Sequence, residues 1–215
     1  MTTPTLISFY VNLGNKTQVV TSKDIENYAE ACHLNLYAEG RYSWLFVLHL
    51  LLYNQMHGIN PFQIVDEIRA LEQSEIATRT KPAAEFSRPP LQGLWHKHFF
   101  SAQFVARNIR THLSGGKLTK LVEEIFDVKK SPVVTEDMVK ELSHRVTAES
   151  IKQRADDGKL TGEWIVFAKH GGKNYYLCLA THNDRDQLIY ESIKTACWHQ
   201  FPFLSTVLPD SELNI

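Results

Sequence analysis

The stretch from Tyr42 to Met56 is apolar almost all the way round and stops at Gly58. A helix without a polar face must be covered on every side, so the chain has to build further elements around it. It is not a membrane span. Its most apolar part, Leu45 to Tyr53, falls well short of the roughly 18–20 residues a span needs and carries His49 in its middle. The whole chain has 215 residues, 43% hydrophobic and 22% charged, ordinary figures for a chain with a buried core. They exclude a disordered or fibrous protein. The opening MTTPTLISFY lacks a basic region, so no secretory signal is expected. Cys32, Cys178 and Cys197 are odd in number, widely spaced and follow no metal-ligand pattern. They are expected to be reduced thiols of a cytoplasmic protein.

The other elements follow from local signals. Runs on either side of Gly14-Asn15 predict a short hairpin or two edge strands. Thr21 or Ser22 is expected to cap a helix carrying Ile25, Tyr28, Ala29 and Cys32 on one face. Asn60 followed by Pro61 predicts the start of a helix through Leu71. Residues 78–93 hold three prolines and no periodicity and read as a long loop. Helical spacing predicts a helix from Leu94 to Leu113, ended by Gly115-Gly116. Shorter helices are expected through Leu118–Ile125, after Thr135, and around Ile151. Two aromatic-rich runs flank Gly171-Gly172, the clearest hairpin in the chain, and a helix from about Gln187 to His199 follows. The fold class is therefore α+β and predominantly α-helical: a helical body with a C-terminal β-hairpin-plus-helix unit. Residues 1–130 read as a mainly helical domain and 131–215 as helix, hairpin and C-terminal helix, either a small second domain or packed with the first as one.

The formal net charge of −1 hides a segregation. Residues 79–120 hold eight Lys and Arg against a single acid, Glu85, while the remainder holds 15 Lys and Arg against 23 Asp and Glu. A local positive field of this kind attracts phosphates even in a near-neutral chain. Against that stands the simpler possibility that acidic helices neutralise the segment inside the fold. On a helix, Gln103, Arg107 and Arg110 share one face, where two guanidinium forks suit phosphate or carboxylate. Lys97 and Lys169 add to the expected phosphate-binding set. Phe100 and Phe104 flank that face and are expected to pack rather than to stack on bases.

The histidines supply the candidate chemistry. His96 and His98 would share a face on a strand and could hold a metal together, but point about 200° apart on the predicted helix. No HExxH, CxxC, GxSxG, P-loop or GxGxxG pattern is present, so no metal or cofactor is expected. In the C-terminal hairpin, a turn at Gly171-Gly172 makes Glu163 and His182 diagonal neighbours at the open end. A carboxylate beside an imidazole is acid/base equipment. His96, His182 and Glu163 are accordingly the candidate catalytic residues. The hairpin-plus-helix with scattered His, Lys and Glu is similar in general architecture to small metal-independent ribonucleases, a likeness that assigns no residue.

These observations predict a nucleic-acid-binding protein whose enzymatic form would be a metal-independent phosphodiesterase working by histidine acid/base chemistry. The alternative is a non-catalytic adaptor that meets an acidic protein partner, with the apolar end WHQFPFLSTVL as an exposed docking tail.

Overall fold

A computed structural model describes residues 7–13, 16–73, 75–100, 104–127, 131, 133–160, 162–182 and 184–208. In chain order, strands β1 (Ser8–Leu13) and β2 (Lys16–Thr21) are followed by helices α1 (Ser22–Ala31), α2 (Asn35–Ala38), α3 (Trp44–His57) and α4 (Pro61–Glu72). Strands β3 (Ala84–Glu85) and β4 (Trp95–Phe99) come next, then helices α5 (Val105–His112), α6 (Lys117–Ile125) and α7 (Glu136–His144). A π-helical turn, Arg145–Glu149, leads into α8 (Ser150–Asp156). Strands β5 (Glu163–His170) and β6 (Lys173–Ala180) and helices α9 (Asp186–Cys197) and α10 (Leu204–Val207) complete the chain. This is an α+β, predominantly helical fold with one two-stranded and one four-stranded sheet.

Local chemistry sets many of the boundaries. The Thr21 hydroxyl accepts from the Asp24 amide while the Asp24 carboxylate accepts from the Thr21 amide, a reciprocal cap on α1. Asn60 caps α4 ahead of Pro61. Gly58 ends α3 in the left-handed conformation.

The chain groups into two compact units. The first comprises residues 1–77, 83–97 and 163–215, the second residues 78–82 and 98–162. In the first unit the four-stranded sheet runs in the order β3-β4-β5-β6. Val166 and Ala168 of β5, with Cys178 and Ala180 of β6, pack with Ile189, Tyr190, Ile193 and Cys197 of α9. Phe167 and Tyr176 lie together, and Phe46 of α3 stands 6.0 Å from the Tyr176 ring. A β-strand turns alternate side chains to opposite faces, so with α9 and α3 both in contact this hairpin is buried on both faces. β6 is the edge strand, and the segment after α2 covers it. The Arg41 carbonyl accepts from the Tyr176 amide, the Ser43 amide donates to the Tyr176 carbonyl, and His49 Nδ1 lies 3.0 Å from the Leu179 carbonyl. An edge covered this way cannot pair with another chain.

Three expectations are corrected here. The run predicted as one helix from Leu94 is a strand, Trp95–Phe99, followed by a shorter helix, Val105–His112. Aromatic residues at Trp95 and Phe99 favour a pleated surface, and pairing beside β3 satisfies the backbone. In the C-terminal hairpin, a turn at Gly171-Gly172 counted outward would set Val166 opposite Leu177 and Trp164 opposite Leu179; Lys169 does face Asn174, but a bulge shifts the register so that Val166 faces Cys178 and Trp164 faces Ala180. The end of the chain is not an exposed tail: Phe201, Leu204 and Leu208 are buried in the sheet–α9 core.

In the second unit, Leu160 exchanges backbone hydrogen bonds with Arg79 and Lys81. Phe104, just ahead of α5, and Asn108 on it are buried, and Arg154 of α8 donates from Nε to the Asn108 side-chain oxygen at 3.1 Å. The helices before and after residue 130 both belong to this unit.

Candidate functional site

Two places carry chemistry, one in each unit. At the open end of the β5–β6 hairpin, the predicted residues His96, His182 and Glu163 gather around Trp164. The His96 ring lies 5.4 Å from the indole and 4.6 Å from Phe86. The His182 ring meets the indole edge-on at 4.5 Å. Strand pairing produces this arrangement: His96 is on β4, Trp164 on the adjacent β5, and His182 follows β6. Glu163 and His182 meet through the main chain and not by the expected strand register: the His182 backbone amide donates to Glu163 Oε2 at 2.6 Å. The carboxylate thus holds the main chain at the point where it leaves β6.

Sequence reasoning left out three neighbours of this end. His49, Tyr53 and Asp184 adjoin it, and a cavity of about 160 Å³ is lined by His49, Cys178, Asp184 and Ser192 among others. His49 and Tyr53 are one helical turn apart on α3 with their rings stacked at 6.4 Å. Burial pushes the Tyr53 hydroxyl's pKa up, and the nearby Asp184 and Glu163 carboxylates push it further. Burial also holds His49 below the ordinary imidazole value, outweighing its backbone hydrogen bond and the pull of Asp184. The available signal was His49 itself, a polar residue inside an apolar helix. Cys178 is buried and its thiol pushed well up by desolvation, an inert core residue as its strand position implies.

The phosphate-binding set divides. Lys97 is buried, and its Nζ lies 3.1 Å from Glu67 Oε2, so a phosphate contact is closed to it. Desolvation lowers the Lys97 pKa against the opposing pull of Glu67. Lys169 is exposed and places its ammonium 3.5 Å from the centre of the Trp95 ring. Gln103 lies outside the described residues. Arg107 and Arg110 stand in the second unit on α5, Arg110 exposed and Arg107 half-buried. Lys117 and Lys120 are exposed on α6. The strand placement of His96 and His98 revives the geometry a metal would need, yet no group of three or more His, Cys, Asp or Glu among the described residues could hold one. His98 is buried, with Nδ1 2.9 Å from the Gly162 carbonyl.

The charge segregation of the sequence becomes a difference between units. The second unit has thirteen Lys and Arg against nine Asp and Glu; the first has ten against fifteen. Among the described residues, Arg79, Arg110, Lys117 and Lys120 of the second unit make no ion pair. Comparison with protein-family models, with curated proteins and with solved structures finds no match to this chain. No helix among the described residues is long and apolar enough to cross a membrane.

Proposed function

We propose that this protein binds a nucleic acid through the cation-rich second unit. The observation that carries the reading is the excess of positive charge there, with Arg110, Lys117 and Lys120 exposed and without carboxylate partners among the described residues. Exposed cations lacking internal partners bind phosphates at little desolvation cost, and each phosphate neutralised releases condensed counterions. Arg107 and Arg110, three residues apart on α5, present two planar forks suited to phosphate oxygens. The three free cysteines are all buried and suit a reducing cytoplasm.

A second reading, metal-independent phosphodiesterase, is favoured by the gathering of His96, His182 and Glu163 around one indole. An imidazole can serve as proton donor or proton acceptor, the two roles that cleavage of a phosphodiester needs. One experiment addresses both. Labelled single-stranded RNA is titrated with the full chain in EDTA, binding is read by anisotropy, and the same mixtures are run on a denaturing gel. Binding at low salt that weakens in Arg107→Ala/Arg110→Ala equally for unrelated sequences supports the first reading. Sequence-selective loss contradicts a phosphate role. RNA fragments that vanish in His182→Gln support the second reading, and intact RNA throughout contradicts it.

A further inference from the structure

The second unit holds a cavity of about 220 Å³ lined by His112, Lys117, Lys120, Glu124, Arg145 and Glu149, together with apolar neighbours. Its cations are of two kinds. Arg145 is fully committed: its Nη1 lies 2.9 Å from Glu124 and 3.6 Å from Glu141, and its Nε 3.6 Å from Glu149. One guanidinium balances one carboxylate charge, so the lining as a whole carries three cations against two acids. Lys117 and Lys120 have no such partner among the described residues and leave the cavity with spare positive charge. His112 is held below its ordinary pKa by burial, then by Lys117 and Arg154, against a weaker pull from Asp157. The π-helical turn contributes both Arg145 and Glu149, and such turns recur at functional sites. The groups left without acceptors are therefore two ammonium ions and an imidazole at one concavity.

Two ammonium ions and an imidazole without acceptors at one concavity suit an anionic group that offers several acceptor oxygens. A phosphate monoester carries about −1.5 to −2 near neutrality and three acceptor oxygens. A diester inside a strand carries a single charge and continues in both directions, which a small concavity does not accommodate. We propose that this cavity receives the terminal phosphate of a nucleic-acid strand, with Lys117, Lys120 and His112 as its donors. The inference rests on the nucleic-acid reading above and narrows it to strands with a phosphorylated end.

The test uses the full chain and short single-stranded oligonucleotides of one sequence carrying an internal fluorophore, with 5′-phosphate, 3′-phosphate or hydroxyl at both ends. One phosphorylated form is expected to bind about tenfold more tightly than the hydroxyl form, the effect of one additional charge-assisted hydrogen bond. Lys117→Gln/Lys120→Gln is expected to erase that preference while circular dichroism stays unchanged. Equal binding of all three strands overturns the inference and leaves nucleic-acid binding standing, as does a preference that survives in the variant. No binding of any strand at low salt overturns both.

Discussion

Gly162 stands where no side chain fits. A Cβ there would lie 1.7 Å from the Phe99 carbonyl oxygen and 3.2 Å from the Phe104 ring. The same glycine engages His98, whose Nδ1 is 2.9 Å from its carbonyl. Gly162→Ala therefore pushes backbone against backbone and should cost about 1–3 kcal/mol, the usual range for overpacking. A urea titration reads this as a lower midpoint with an unchanged slope; an unchanged midpoint would show that the two backbones approach less closely. Local signals were legible from the chain alone: a cap at Thr21 or Ser22, Asn60 ahead of Pro61, and Gly58 at the end of α3. Lys97 was not, because its partner Glu67 belongs to another helix and only the fold brings them together. An exposed phosphate ligand and a buried ion pair have the same letter in a sequence.

Among the elements, β6 shows how an edge is closed and what that costs. His49 of α3 meets the Leu179 carbonyl through Nδ1, replacing a strand partner. Burial holds this imidazole below its ordinary value of 6.5, with the backbone contact and Asp184 opposing. A base whose pKa falls on folding binds fewer protons in the native state than in the unfolded one, so stability rises with pH through that range. The contribution is intact above the unfolded value near 6.5 and is lost as pH falls below it. Wild-type chemical stability should drop between about pH 7 and pH 5. His49→Asn, which keeps a donor for Leu179 without a titrating ring, should flatten that dependence; an identical pH profile in the variant would contradict the assignment. At this scale the sequence served well for the hairpins, the capped helices and α9. It failed over Leu94–Leu113, where helical spacing was real but β4 gained strand neighbours that no local pattern records. The bulge in the last hairpin escaped for the same reason: Leu177 is the extra residue, and its carbonyl is taken by the Ser43 hydroxyl from a distant segment.

Across the whole molecule, the count of charges along the chain marked a cationic stretch at residues 79–120 but not the division into units that the fold makes. The positive segment of the sequence is shared between the units. Arg88 and Lys97 go to the first, and Arg79, Lys81, Arg107, Arg110, Lys117 and Lys120 to the second. The second unit nonetheless keeps a surplus of cations and the first a surplus of acids. Of the candidate catalytic residues, only the nearness of Glu163 and His182 was legible, from the glycine turn; that His96 joins them was not, because it depends on β4 being a strand beside β5. Their neighbours His49, Tyr53 and Asp184 required the packing of α3 against β6 and could not be read from spacing.

The most direct measurement is the salt dependence of single-stranded nucleic-acid binding by the intact chain. With about four cations contacting phosphates, a plot of log K against log salt should fall with a slope of about −3, since each contact on a single strand contributes about −0.7. A slope near zero, or no binding at low salt, would contradict the claim that the second unit's unmatched cations form the binding surface.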